Sequence, residues 1–551
     1  MHLSLHCRYI ATIVVASTIS LTPLAVHSQA VTGAGTDAIA VPKGSVKIRF
    51  GGLWDGYNEW LSENGRIPLL SGLTTDALGI KYLPQLAPAQ QAINGLVGDA
   101  SSFQLSLGTL EAKGDARSST TPIALDVGIT SRLSIGIVVP YVESRDNASL
   151  ILNRDGTTAN VGQNPAFNAT SGSAARAANG TLLRQIARAR AELASEIARC
   201  AIPTENGCDA IRANPAGATA LTGAASNVEQ YLSVVYGDSV RGGSPVVPIL
   251  GSATQTAVNN RIGALRTGFE SFGIGDLLEG VLPASATTIS GPGSLSALVS
   301  DTAYGLNYSR LGGTRRSGIG DVDVTASLLW LNTLGSRPAQ WLNASSFGIR
   351  SIAVAGWRFG TAGADRTEDA FDVPIGDGAN AFLARSTTDI VVNKWFWLSG
   401  TARVVQPLSD QVVLRRPFFA DSLLFAPSVS SVAQRTLGRR VEFEVAPRLS
   451  IGRFIGFSGG YIMRRMDANS YDFGATDSLS AITLTTANRT SQAFMVGATF
   501  STMASYIRGR AKWPVEVIYV HTEAISGSGG ISPAVTTDRL ELRVYTGYPR
   551  R

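Results

Sequence analysis

The chain has 551 residues, 47 Lys and Arg against 41 Asp and Glu, a formal charge of +6, and only 16% charged residues. That mild, dispersed charge comes with no basic-aromatic motif, which argues against a nucleic-acid partner. After the first thirty residues no segment approaches twenty consecutive apolar residues, which excludes a membrane-spanning helix.

The chain opens MHLSLHCRYIATIVVASTISLTPLAVHSQA. Arg8 precedes an interrupted apolar run, and Ser28-Gln29-Ala30 fits a small-x-small cleavage site, so residues 1–30 read as a secretory signal peptide. Its removal takes His2, His6, His27 and Cys7, leaving one histidine, His521, and two cysteines. Cys200 and Cys208 lie close together in an exported chain and are expected to form a disulfide, two reduced thiols being the alternative.

Residues 31–101 contain one alternating stretch, SVKIRFGGLW (45–54), which reads as a first strand or as part of a plug. Residues 102–149 carry three candidate strands, at 102–113, 119–129 and 131–145. In PIALDVGITSRLSIGIVVPYVES, Ile123, Leu125, Val127 and Ile129 share one face, and after a tight turn Leu133, Ile135, Ile137, Val139 and Tyr141 share it again.

Residues 150–316 differ in kind. SAARAANGTLLRQIARARAELASEIARC (173–200) spaces Leu183, Ile186, Leu193 and Ile197 as a helix does, with further helices expected at 227–237 and 256–272. A segment this long is no structureless loop; it is expected to be a helical insertion, either a cap or a plug.

Residues 317–551 return to period two. In GIGDVDVTASLLWL (318–331), Val322, Val324, Ala326, Leu328 and Trp330 form an oily face opposite Asp321, Asp323, Thr325 and Ser327. RRVEFEVAPRLSI sets Val441, Phe443, Val445 and Leu449 against Arg440, Glu442, Glu444 and Arg448. KWPVEVIYVHTE and DRLELRVYTGY repeat the pattern, with Glu516, Arg539, Glu541 and Arg543 on the polar faces. Trp330, Trp357, Trp513, Tyr519 and Tyr548 sit towards the ends of the oily faces, as aromatics do at a membrane–water boundary.

Turns at 129–132, Asn393-Lys394 and Gly452-Arg453 are short, whereas the connections at 150–316, 409–436 and 468–484 are long. Short periplasmic turns alternating with long external loops mark an outer-membrane barrel. The expected fold is therefore all-β: an antiparallel transmembrane β-barrel of 12 strands, or 14 if 45–54 and a partner within 60–100 join the wall, with a helical insertion. Asp126, Asp321, Asp323, Arg440, Glu442, Glu444, Arg448, Glu516, Arg539, Glu541 and Arg543 are the expected pore-lining residues. Charges in mid-strand must face water or each other, because burial without a partner is costly.

Catalysis finds little support. Asp321 with Asp323, and His521 with Glu523, are alternate residues that share a face on each strand, which resembles a carboxylate-histidine rim only superficially. No cofactor is expected, and one histidine beside a disulfide leaves no zinc set. The acidic loops GADRTEDAFD and IGDGAN lack calcium-loop spacing.

The hairpin TPIALDVGITSRLSIGIVVPYVES and the opening GIGDVDV resemble the meta-pathway phenol-degradation-type outer-membrane barrels, and more distantly the long-chain fatty-acid transporter barrels. The match is specific over 118–145 and 317–332. It implies passive passage of a small apolar or aromatic solute across the outer membrane of a Gram-negative bacterium, with membrane lipid, the solute and the barrel-assembly machinery as partners. The long insertion and the ending YTGYPRR depart from the pattern, with Tyr548 expected in place of a terminal aromatic. Two other readings stand beside it: a surface binding or adhesion protein whose barrel only anchors the insertion, and a soluble exported all-β protein.

Overall fold

The computed structural model describes residues 38–98, 103–155, 158–275, 282–335, 347–363, 366–417, 423–424, 429–452, 454–476 and 479–549. The expected signal peptide and Arg453 of one expected turn lie outside them.

Twelve antiparallel strands close on themselves. In chain order they are β1 (Val46–Tyr57), β2 (Leu110–Gly128), β3 (Leu133–Leu152), β4 (Val322–Asn332), β5 (Gly348–Phe359), β6 (Ala381–Val391), β7 (Phe396–Pro407), β8 (Arg440–Ile451), β9 (Ile455–Met466), β10 (Arg489–Ser501), β11 (Val515–Ser528) and β12 (Thr536–Thr546). Each pairs with its chain neighbour. β1 pairs with β12 from Val46↔Thr546 to Gly56↔Thr536, and β3 with β4 from Leu133↔Leu328 to Val138↔Asp323. Closure pairs each described wall strand on both sides and leaves no open edge, as a barrel in lipid requires.

The strand set differs from expectation in one place. Residues 103–109 form no strand; Leu110 begins a single 19-residue strand that runs through the expected second one. The segment at 45–54 supplies the missing member as β1. No partner for a fourteenth strand arises from 60–98, which folds instead into a short hairpin (Glu59–Ser62 with Gly65–Pro68), 3-10 turns and the helix α1 (Ala87–Val97). Leu86, Ala89, Ile93 and Leu96 recur at helical spacing and are buried, a period that a strand cannot satisfy.

The two ends of the barrel differ. At one end β2–β3, β6–β7 and β8–β9 are joined by turns of a few residues. At the other, the connections between β1 and β2, β3 and β4, β7 and β8, and β9 and β10 are long. Above the wall on that side stands a four-stranded sheet of Asp410–Leu414, Ser431–Thr436, Ser470–Phe473 and Ile482–Thr485.

β2 and β3 continue past the wall on the long-loop side and carry the helical insertion. Its main helices are α2 (Gly172–Cys200), α3 (Pro215–Tyr236) and α4 (Ala253–Ser271). α2 buries Leu182, Ile186, Ala189 and Leu193 at three- and four-residue spacing, with Leu182 inside and Leu183 half-buried. One continuous apolar core joins these helices to α1, to Leu110, Leu150 and Leu152 of the projecting hairpin, and to Phe371 and Val373 of the β5–β6 loop. The insertion is thus part of the long-loop end of the barrel rather than a separately tethered unit. Cys200 and Cys208 are disulfide-bonded, with Cα atoms 5.4 Å apart, and clamp the end of α2. Among the described residues no helix is long and apolar enough to cross a membrane.

Candidate functional site

The alternation seen in the sequence sorts each strand into an outer and an inner face. Phe50, Ile123, Ile137, Leu328, Phe443, Val445, Phe494 and Leu540 are exposed on the outside. Trp330, Trp395, Phe454, Phe500 and Trp513 ring the short-turn end of that face, and Trp54, Tyr141, Phe359 and Phe382 lie towards the long-loop end. An apolar band flanked by aromatic girdles is the outer surface of a membrane barrel. Tyr548 is not in this band. It is buried at the short-turn end, its ring edge-on to Tyr545 at 5.5 Å and its carbonyl accepting from the Tyr506 hydroxyl at 3.2 Å, beneath the short helix Met503–Ile507.

The inside is charged and cross-linked. Asp323 on β4 takes Nε and Nη2 of Arg358 on β5 at 2.7 and 2.9 Å. Arg403 on β7 bridges Glu442 and Glu444 on β8, reaching Glu444 at 2.8 Å, and Glu442 also takes Arg464 of β9 at 2.7 Å. Arg543 on β12 holds Glu541 at 2.5 Å and lies 3.8 Å from Glu516. Asp126 on β2 receives Lys47 and Arg49 of β1 at 3.2 and 3.1 Å. These pairs run from strand to strand around the wall, which lets charges withdrawn from bulk water compensate one another.

A cavity of about 280 Å³ lies within this lattice. Among the described residues one lysine and ten arginines line it, against four acids: Asp55, Asp126, Asp323 and Glu442. Glu444, Glu516, Glu541 and Asp377 lie behind that surface in contact with arginines, which still leaves the lining basic. Between the guanidinium groups the lining is aliphatic, with Val138, Ile352, Val354 and Val520 facing in.

The cavity has a floor and a roof. At the short-turn end the segment before β1 folds inward and crosses the barrel. Ala38 N donates to Asp389 of β6 at 3.1 Å, and Ala38 and Ala40 pack on Leu329 and Ile352, while Ile39 and Val41 face the cavity. Gly128 permits this crossing: a Cβ there would meet the Pro42 carbonyl oxygen at 2.0 Å. At the long-loop end Ser532, Pro533 and Val535 line the cavity, and Ser532–Pro533 pair with the Glu59–Ser62 strand above them.

Of the expected pore-lining residues, Asp126, Asp323, Arg440, Glu442, Arg539 and Arg543 line the cavity. Glu444, Glu516 and Glu541 are buried among their ion pairs. Arg448 is half-buried nearer the short-turn end, opposite Trp397 and Ser458, and outside the lining. Asp321 is a loop clasp: its carboxylate accepts from the backbone N–H of Ala362, Asp377 and Gly378 at 3.0, 2.9 and 3.3 Å. Lys47, Arg49, Arg358, Arg403 and Arg464 also line the cavity, beyond the expected residues. For the first three the signal was present, since each occupies the inward parity of its strand. Arg403 sits in TARVV, where no alternation marks a face. Asp377, which binds Arg358 at 3.7 Å and also Arg440, comes from a loop and has no period at all.

Asp321 and Asp323 are interior, whereas His521 and Glu523 lie on the outer face of β11, where His521 Nδ1 is 2.9 Å from Asp538. The wall separates the two pairs, so the carboxylate-histidine arrangement weighed from the sequence does not assemble. Among the described residues no group of three or more candidate ligands could hold a metal ion. Asp372 and Asp377 of the acidic loops are engaged by Arg316 and Arg358.

No family model matches the sequence, and no curated protein matches it. Solved structures are similar in overall form at very low identity. An outer membrane channel from Pseudomonas putida F1 is 9% identical with a TM-score of 0.39, over 93% of this chain and 98% of that one. The Pseudomonas putida toluene transporter TodX is 8% identical with a TM-score of 0.25, over 92% and 89%. A FadL homologue from Pseudomonas aeruginosa is 8% identical with a TM-score of 0.25, over 96% and 95%.

Proposed function

We propose that this protein is an outer-membrane channel for passive passage of a small, amphiphilic anion. The observation that carries the proposal is the pairing of an apolar outer wall with an interior cavity lined mainly by arginines and aliphatic side chains. Arginine forks bind carboxylates and other planar anions well, and the aliphatic surface between them suits the solute's apolar part. The hairpin resemblance at 118–145 implies an apolar or aromatic solute, and an alkyl or aryl carboxylate satisfies both features. The short-turn end faces the periplasm and the insertion faces outward, as barrels of this kind are oriented. Of the eleven inward charges expected from the sequence, nine act in this proposal as pore lining or as the ion-pair lattice behind it, while Asp321 clasps a loop and Arg448 stands nearer the short-turn end.

The segment 38–45 and the Ser532–Val535 loop bound the cavity, and passage requires both to yield. The test is conductance of the refolded protein in a planar bilayer under a potassium chloride gradient. Discrete steps with a reversal potential on the chloride side are expected. Folded, inserted protein without steps sinks the channel, and a cation-side potential sinks the anion preference while leaving the channel standing.

A further inference from the structure

The long-loop end of the outer wall carries a row of arginines with no structural reason to be together. Arg117 on β2 is the direct register partner of Arg145 on β3, and Arg145 is the direct partner of Arg315 on the adjoining strand Arg315–Ile319. All three point outward and are exposed, Arg117 by 76% and Arg315 by 71% of the side chain. Like charges directly opposite one another destabilise a sheet. Three guanidinium groups on neighbouring strands span about 10 Å.

The nearest acids do little to neutralise the row. Arg117 reaches Asp115 at 3.4 Å and Arg315 reaches Glu143 at 3.5 Å, both exposed pairs of small worth. Among the described residues Arg145 makes no ion pair with either. Beside Arg117 the next position across the sheet is Gly56, and nothing lies within 4 Å of where its Cβ would be. The row is therefore open to a ligand from the side as well as from the front.

Its height is set by the rows beneath it. Two residues nearer the short-turn end are Trp54, Ser119, Glu143 and Ser317; then come Thr121, Tyr141 and Ile319; then Phe50, Ile123 and Val139. Trp54, Tyr141 and Ile319 are exposed, as Phe50 and Ile123 are below them. Aromatic residues at this level mark the boundary of the hydrocarbon layer. One row is two residues, about 5 Å of height on a tilted strand. The arginines thus stand about 5 Å above Trp54, inside the headgroup layer.

We propose that Arg117, Arg145 and Arg315 form a binding site for the phosphate of an anionic lipid of the outer leaflet. Guanidinium groups match phosphate oxygens in fork geometry, and a phosphate relieves the repulsion of the row. The acyl chains of such a lipid descend over Tyr141, Ile319 and Ile123, which supplies the apolar half of the site on the same strands. A free phosphate ion gains the first interaction but not the second, so the site is assigned to lipid.

The test is native mass spectrometry of the full chain released from bilayers containing diphosphoryl lipid A. The wild-type protein is expected to retain one such lipid, and the variant Arg117→Gln/Arg145→Gln/Arg315→Gln to retain it at least tenfold less. Lys113→Gln, one row further out than Asp115, is the control and is expected to retain it fully. Heat-modifiable migration on a gel confirms that each variant is a folded barrel; should the triple variant misfold, Arg145→Gln alone is expected to show a reduced retention. Equal retention by the folded variants overturns the site. Displacement of lipid A by millimolar inorganic phosphate overturns the assignment to lipid.

Discussion

Arg358 and Asp323 meet inside the wall in a two-pronged pair at 2.7 and 2.9 Å, on adjacent strands and nearly out of contact with solvent. Arg358 also reaches Asp377 of the β5–β6 loop, so one guanidinium ties two wall strands to the loop above them. Replacing Asp323 with Ala leaves that guanidinium half-compensated in a buried place, a defect that costs about 3 kcal/mol in such pairs. The midpoint of urea unfolding, followed by tryptophan fluorescence in lipid, is expected to fall accordingly. An unchanged midpoint shows that water in the lumen, not Asp323, carries the charge.

The segment 38–41 crosses the floor of the cavity and is held by Ala38 on Asp389. Deleting these residues is expected to raise the single-channel conductance at least twofold with the barrel intact. Gly128→Val attacks the same contact from the wall, where the Pro42 carbonyl leaves no room for a side chain, and is expected to act in the same direction. Equal conductance in both variants means that the constriction lies at the roof.

Arg385 and Arg489 both line the cavity. Their joint replacement by Gln removes two positive charges from the lining and is expected to move the reversal potential towards zero in a salt gradient. A potential identical to wild type assigns selectivity to another part of the path.

The Cys200–Cys208 bond closes a short loop at the end of α2. Chain-entropy arguments give a bond of this span about 2–3 kcal/mol. Cys200→Ser with Cys208→Ser is expected to speed limited proteolysis of the α2–α3 region while leaving barrel migration on a gel unchanged. Cleavage of the double variant at the wild-type rate removes the bond from the list of what holds the insertion.

The wall was legible because its physics is local. A strand between lipid and water must alternate, so Phe443, Val445, Glu442 and Glu444 declare their faces without any knowledge of their neighbours. The short turn at 129–132 and the helix around Ile186 were readable for the same reason, each being fixed by a few consecutive residues. The sequence alone therefore determined a barrel of about twelve strands with a helical insertion and charged inner faces.

Only the tertiary structure decided which segments close the barrel and what the charges do. That 45–54 joins the wall, in place of a separate strand ending before β2, depends on hydrogen bonds to β12, nearly five hundred residues away in the chain. Tyr548 carries the same aromatic signal as Trp513 but turns inward beneath Tyr506, because the strand ends at Thr546 and parity ends with it. Asp321 and Asp323 look alike in GIGDVDV, yet one clasps backbone N–H groups of a loop and the other pairs with an arginine. The packing of 38–45 on Asp389, the meeting of Asp377 with Arg440, and the alignment of Arg145 with Arg315 all join segments distant in sequence. Register between strands sets such neighbours, and no local period records it.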